Sequence, residues 1–292
     1  MDVAILGCGY VGLELGRQLT DSHVVYGIRR SPDGLDAIED AGFRPIRADV
    51  TDAESLEAVP SVDAVVFAAS AGRGTDSARR TYVDGLRTVV DHFGERDSRP
   101  SRLLYTSSTG VYGDHEGAWV DESTSIESTT ERQEILLQAE RVALERAKSA
   151  GLTGTVARFG GLYGPDRYRL DRYLEGPVTE GYLNLVHRDD AAGAVEFLLA
   201  EGLAEDEVVL VVDEEPVEKP ELAGWLAAEC GTDPPPTQTI QEALAEREGA
   251  GHRIAANKRC SSQKLLDLGY DVRYPTFREG FAQAIEDYLA DR

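Results

Sequence analysis

The first twelve residues constrain this chain most. An apolar run, Val3-Ala4-Ile5-Leu6, ends in Gly7-Cys8-Gly9-Tyr10-Val11-Gly12, and a helical repeat starts at once, with Val11, Leu15 and Leu19 recurring every four residues. Strand, Gly-x-Gly-x-x-Gly turn and helix, in that order, form the cradle a dinucleotide needs. Gly7 makes the tight turn, Gly9 lets backbone approach a pyrophosphate, and Gly12 lets helix and strand pack closely. The helix start adds N–H donors and a positive dipole end, so Tyr10 and Val11 join the three glycines as candidate cofactor contacts. A glycine-rich turn that binds nothing is the competing reading. The βαβ pattern over the next ~40 residues weighs against it.

Charge narrows the partners. The 292 residues hold 53 acidic and 30 basic side chains, a net −23, with the acids spread along the chain. Lysine is nearly absent: Lys148, Lys219, Lys258 and Lys264 are the only four. A compact protein this acidic repels itself at low salt, which predicts a salt-adapted cytoplasm of high ionic strength; an ordinarily acidic protein is the alternative. The same charge argues against a nucleic-acid backbone as partner. Cys8, Cys230 and Cys260 stand at no metal-ligand spacing and fit a reducing cytoplasm, so no metal is expected. No basic segment precedes an apolar stretch near the start, and no apolar run reaches about 18 residues, so neither a secretory signal nor a membrane span is expected.

Strands and helices then alternate, which predicts an α/β doubly wound parallel sheet. Strands are expected over 23–28, 43–48, 62–69, 103–106, 155–158 and 207–212. Helices are expected over 35–41, 82–93, 131–150, 191–201, from Pro220 to a stop at Gly231, and after the capping box Thr276-Phe277-Arg278-Glu279. The second strand ends in Arg29-Arg30 where an acid would select a ribose hydroxyl. Two guanidinium groups there suit a 2′-phosphate, so NADP is expected, with NAD as the alternative; solvated surface charge is the other reading. Asp49 and Val50 follow the third strand, where Asp49 either accepts from an adenine amine or caps a helix. Small residues after the fourth strand, Ala68, Ala69 and Ser70, would line the cofactor cleft. Thr106, Ser107 and Ser108 end the fifth strand as candidate hydroxyl donors.

Taken together, Ser107-Ser108-Thr109-Gly110-Val111-Tyr112-Gly113, Arg158 with Leu162-Tyr163-Gly164-Pro165, and His187-Arg188-Asp189-Asp190 resemble the extended short-chain dehydrogenase/reductase superfamily, in its NAD-dependent epimerase/dehydratase branch. The resemblance covers nearly the whole chain. It implies a Rossmann core over 1–165 and 184–206, with a smaller substrate-binding lobe over 166–183 and 207–292. It places the catalytic hydroxyl on Ser108 and sets Arg158 and Gly160 beside the nicotinamide. By family analogy, a homodimer would form through the helices over 82–93 and 131–150.

The family's Tyr-x-x-x-Lys pair is missing. Counted back from Ala139-Glu140, its places hold Arg132 and Leu136, and no Tyr-x-x-x-Lys occurs in the chain. The first glycine motif is also one residue shorter than the usual extended form. Both departures resemble the superfamily's atypical subgroup, which keeps the cofactor site and lacks the standard proton-transfer pair. Arginine stays protonated at working pH, so Arg132 is a poor acid or base. It can instead hold an anionic substrate or a developing oxyanion, or be a surface charge. Tyr112, Tyr163 and Tyr168 are candidate replacement acids; His187 reads first as a structural hydrogen bond, and Trp119 as a substrate-loop residue or an anchor. Two functions follow. One is an NADP-dependent oxidoreductase acting on a sugar-, polyol- or nucleotide-sugar-like small molecule. The other is a non-catalytic NADP-binding sensor or scaffold.

Overall fold

A computed structural model describes residues 1–72, 74–246 and 256–291. The chain divides into two units, one of Met1–Val111, Thr129–Arg158 and Ala191–Val209, the other of Tyr112–Ser128, Phe159–Asp190 and Leu210–Arg292. The loop 112–128 and the stretches 159–165 and 184–190 therefore group with the C-terminal part.

The first unit is built on β1 (Asp2–Leu6), α1 (Tyr10–Leu19), β2 (Val24–Arg29), α2 (Pro32–Asp40), β3 (Arg44–Arg47), β4 (Ala64–Phe67), a helix α3 over 75–94, β5 (Arg102–Ser108), a helix α4 over 131–149, β6 (Thr153–Phe159), α5 (Arg188–Ala200) and β7 (Glu207–Val211). The seven strands lie in the order β7-β6-β5-β4-β1-β2-β3. β1 pairs with β2 and β4, β2 with β3, and β4 with β5, all parallel. A parallel sheet covered on both faces needs apolar residues at consecutive positions. Val3–Leu6 and Ala64–Phe67 are all fully buried. Val11, Leu15 and Leu19 are buried as their spacing predicts. Strand order reverses between β1 and β4, the point at which open α/β sheets bind ligands at their carboxyl ends.

Both long helices carry a π turn, Arg79–Gly85 in α3 and Val142–Arg146 in α4. α3 starts at Thr75, seven residues ahead of the expected Tyr82, because Gly74 at φ +92° turns the chain into it. Thr130 caps α4, its side chain accepting from Gln133 N.

The second unit has short paired strands and its own core. Gly161–Tyr163 runs parallel to Leu185–His187, and Tyr182–Leu183 antiparallel to Val217–Glu218. Tyr163, Leu222, Leu226, Phe277, Phe281 and Ile285 pack together, the last three from the C-terminal helix. Here α6 is Lys219–Glu229 and α7 is Phe277–Ala290. The Thr276/Glu279 capping box is present at the start of α7.

Candidate functional site

The glycine turn is shaped by contact. Gly7 has φ +104°, and a Cβ there would lie 2.3 Å from the Ala69 backbone. A Cβ on Gly12 would lie 2.6 Å from Gly7 O. Gly7 thus fits the β1 turn against the end of β4, and Gly12 lets α1 close on it. Gly9 differs: at φ −89° the nearest atom to an added Cβ is Arg29 Nη1, at 3.6 Å. That space is the cradle. Gly9 is the N-cap of α1; no side chain caps the helix, and no acid stands in its first turn, in a chain with 53 acids. A helix start without a side-chain cap or a nearby acid suits an anion. These features fit the pyrophosphate of a dinucleotide. Tyr10 and Val11 open α1, Val11 buried and Tyr10 half-buried. The Cys8 thiol is buried in the loop, which pushes its pKa up to about 12 and leaves it inert.

The end of β2 carries the cations. Arg29 lies over the glycine turn, its Nη1 donating to Cys8 O at 2.7 Å. Arg30 is exposed and pairs with Asp49 at 3.2 Å. Asp49 also accepts from Thr51 N and Thr51 Oγ1, at 3.0 and 2.9 Å. Burial raises its pKa, but these bonds and Arg30 outweigh that and hold it below the ordinary carboxylate range. Asp49 is thus a turn-forming acid and the partner of Arg30 together. Val50 is half-buried against the core beneath it. Ala68 and Ala69 are half-buried at the end of β4 and Ser70 is exposed. Thr106 Oγ1 donates to Phe67 O at 3.3 Å, which ties β5 to β4.

Beyond Thr106 the structure reveals a buried polar knot. Ser107 donates to Glu140 Oε1 at 2.6 Å, and Arg158 donates to both carboxylate oxygens of Glu140, at 2.9 and 2.7 Å. The Glu140 and Arg158 side chains are only 5% and 6% exposed. Ser107 and Arg158 spend their side chains on each other's partner, locking β5, α4 and β6. Ser108 is half-buried and its Oγ accepts from Gly110 N at 3.1 Å, which leaves its own proton to donate. Leu136, in the place of the family's lysine, is buried. A Cβ on Gly110 would lie between it and Ser108, 3.9 Å from Leu136 Cδ1 and 3.2 Å from Ser108 Oγ. Arg132 is half-buried and makes no ion pair among the described residues, and its charge reaches the buried Tyr105 hydroxyl.

The tyrosines of the second unit are engaged. Tyr112 is buried and donates to Asp121 O at 2.7 Å. Tyr163 donates to Asp213 Oδ2 at 3.2 Å, and burial raises the pKa of both groups. Tyr168 packs on Phe281. His187 is buried against Tyr274, ring centroids 3.9 Å apart, and accepts from Asp189 N at 3.2 Å. Burial holds its pKa down to about 4, so it is neutral and structural. Asp190 accepts from Arg273 N and Tyr274 N, both at 2.8 Å, anchoring the chain that leads to α7. Gly160 fits under Asn184: a Cβ there would lie 2.6 Å from Asn184 O. Trp119 is 54% exposed and stacks on Arg259. Sequence reasoning gave Glu140 only as half of an Ala-Glu landmark; its buried carboxylate is the centre of the knot. Among the described residues no group of three or more His, Cys, Asp or Glu is placed to hold a metal, and no helix is long and apolar enough to cross a membrane.

Comparison with known proteins agrees with this geometry. An NAD(P)H-binding family model matches residues 7–201. The chain is 28% identical over 285 residues to Protein YeeZ of Escherichia coli K12, covering 94% of this chain and 96% of that one. A structure from Methylobacillus flagellatus, provisionally named an NAD-dependent epimerase/dehydratase, is 28% identical with a TM-score of 0.74, covering 99% of this chain and 98% of that one. The human epimerase family protein SDR39U1 (isoform 2), solved with NADPH, superimposes with a TM-score of 0.77 at 16% identity, over 100% of both chains. The chain belongs to the NAD(P)H-binding family and has the extended short-chain dehydrogenase/reductase fold of the NAD-dependent epimerase/dehydratase proteins.

Proposed function

We propose that the protein is an NADP-preferring oxidoreductase of epimerase/dehydratase type, acting on a sugar- or nucleotide-sugar-like small molecule without a Tyr-x-x-x-Lys pair. The observation that carries it is the end of β2. Arg29 lies over the glycine cradle, and Arg30 stands beside it in an exposed pair worth about 0–1 kcal/mol, which a phosphate can displace. A bound nicotinamide dinucleotide supplies or accepts hydride. The chain's own residues bind and orient: the α1 N-terminus and Gly9 seat the pyrophosphate, Arg29 and Arg30 the 2′-phosphate, and Ser108 donates to the reacting oxygen. Arg132, half-buried and without an ion pair among the described residues, balances negative charge on the substrate. The Glu140–Arg158–Ser107 knot holds the strand end on which Ser108 stands.

Calorimetry with both cofactors at matched high salt tests the cofactor reading. NADPH should bind more tightly than NADH, and Arg29→Asp with Arg30→Gly should remove most of the difference; equal affinities in the parent refute it. NADPH oxidation with carbonyl and nucleotide-sugar substrates tests turnover. Ser108→Ala should lower kcat on the order of 10²-fold with NADP binding unchanged, whereas Arg132→Gln should act mainly on KM.

One observation favours a second reading, an NADP-binding sensor or scaffold without turnover. Tyr112 and Tyr163 spend their protons on Asp121 O and Asp213, and an apolar leucine fills the lysine's place. No oxidation with any substrate, alongside intact NADPH binding, would decide for it. The proposal includes a homodimer through α3 and α4, checked by light scattering in molar salt, and a cytoplasm of high ionic strength as the setting.

A further inference from the structure

The first unit holds a phenol that no sequence motif marks. Its tyrosines are Tyr10, Tyr26, Tyr82 and Tyr105. Tyr105 is fully buried. Tyr26 accepts a hydrogen bond from Arg44 at 3.0 Å, out by the edge strand β3. Tyr10 opens α1, at the pyrophosphate end of the cradle. Tyr82 stands on α3, inside the π turn Arg79–Gly85. Such turns break the regular helical ladder and occur frequently at functional sites.

The Tyr82 hydroxyl lies at the carboxyl end of the sheet. Ala71 N donates to Tyr82 Oη at 3.2 Å. Ala71 is just past the end of β4, two residues beyond Ala69, whose backbone meets Gly7 of the cradle. Phe67 on β4 pairs with Tyr105 on β5, and Ser108 ends that same β5. The arginines at the end of β2 put the adenosine on the β2–β3 side of the glycine turn. That leaves the β4–β5 side, with Ala71 and Ser108, to the nicotinamide. Tyr82 is half-buried, and among the described residues its hydroxyl accepts the one bond from Ala71 and donates to nothing. One turn before it, Arg79 clamps α3 to α4: its Nη1 donates to Gln138 Oε1 at 2.8 Å, and its Nη2 lies 3.7 Å from Glu131. Arg132 follows Glu131, and both Tyr82 and Arg132 act on the buried Tyr105 hydroxyl. A phenol from α3 and a guanidinium from α4 thus lie near one buried ring.

We propose that Tyr82, from α3, donates the proton to the substrate oxygen in place of the tyrosine missing from α4. As hydride adds to a substrate carbonyl carbon, the carbonyl π pair moves onto oxygen. Tyr82 gives its proton to that oxygen; its O–H bond breaks as the alcohol O–H forms, and the phenolate takes a proton back from solvent. Ala71 N–H donates to the phenolate while it carries charge, and Arg132 supplies positive charge without exchanging a proton itself. Ser108 keeps its hydrogen bond to the same substrate oxygen. The inference deepens the oxidoreductase reading above and rests on it for the reaction; the placement of the hydroxyl rests on the Ala71 bond.

The test has two readouts. In the first, 3-fluorotyrosine is placed at position 82 alone, which keeps the hydroxyl, and its fluorine resonance is followed at fixed molar KCl. Saturating NADP⁺ should shift the resonance. Adenosine 2′,5′-bisphosphate, which fills the adenosine end of the site without a nicotinamide, should leave it in place. A resonance unmoved by NADP⁺, or moved equally by both ligands, overturns the proposal. The second readout is turnover. Tyr82→Phe should lower kcat about 10²- to 10⁴-fold, with KM and NADPH affinity within about twofold of the parent. Tyr26→Phe should leave all three unchanged. A merely structural hydroxyl would lower the melting temperature of Tyr82→Phe without that split between kcat and KM. Circular dichroism checks that the variants fold, and the fluorine readout stands by itself should Tyr82→Phe fail to fold. Turnover with kcat unchanged in a folded Tyr82→Phe keeps the oxidoreductase reading and removes Tyr82 from it. A shift that needs the nicotinamide, without turnover of any substrate, supports the placement of the hydroxyl and removes the oxidoreductase reading.

Discussion

Removing Arg158 alone should cost far more than removing Arg158 and Glu140 together. In the folded protein the Glu140 carboxylate is 5% exposed and takes three hydrogen bonds, two from Arg158 and one from Ser107. In Arg158→Met it keeps only the serine, and the buried carboxylate loses its counter-ion. Breaking a buried ion pair from one side typically costs about 3–5 kcal/mol. At ~2 °C per kcal/mol for a chain of this size, the melting temperature should fall by about 6–10 °C. Glu140→Met should cost a similar amount, because it buries an unpaired guanidinium. Ser107→Ala removes one charge-assisted bond and should cost about 1.5–3 kcal/mol. In the double variant Glu140→Met/Arg158→Met neither charge remains, and apolar side chains of similar length fill the space. Replacing such a pair is often neutral or better, so the double should be more stable than either single. Urea and thermal melts followed by circular dichroism at fixed molar KCl measure all four. If the double variant falls by the sum of the two singles, with no coupling energy, the pair does not act as a buried unit and the reasoning fails.

Three further outcomes follow from the same geometry. Gly9→Ala should melt within about 1 °C of the parent, since its Cβ has room, yet lose NADPH affinity because that Cβ fills the cradle; Gly7→Ala should lose more than about 1 kcal/mol from the backbone conflict alone, and equal melts for the two would contradict this. His187 is neutral when folded, with a pKa of about 4 against an ordinary 6.5. The unfolded chain therefore binds the extra proton between those values, and its contribution is complete above pH 6.5 and lost as pH falls toward 4; His187→Phe, which keeps the ring packing, should flatten urea-derived stability across that window relative to the parent. With a net −23, the melting temperature should climb from low to molar KCl; a melt indifferent to salt would make the acidity incidental.

The sequence determined what is local. Val11, Leu15 and Leu19 had to share a face because the α-helix repeats every 3.6 residues, and all three are buried. Apolar residues at successive positions of Ala64–Phe67 required a strand covered on both sides. The glycine spacing fixed the cradle because turn geometry depends on only a few consecutive φ angles. Even locally there was a limit: the π turns in α3 and α4 leave no mark in the periodicity, and α3 begins before its apolar pattern does.

Tertiary structure decided which side chains meet. Glu140 lies 33 residues from Ser107 and 18 from Arg158, and Tyr163 lies 50 from Asp213. Nothing in the spacing of such residues encodes a contact, because the path between them is set by sheet order and helix packing. Tyr82 is one of 12 tyrosines in the sequence, and that a π turn carries its hydroxyl to Ala71 is known only once α3 packs on the sheet. A hydroxyl's chemistry is likewise decided by its neighbour: Ser107 and Ser108 are adjacent and identical in type, but β-strand alternation turns one into the buried knot and leaves the other half-buried with its proton to give.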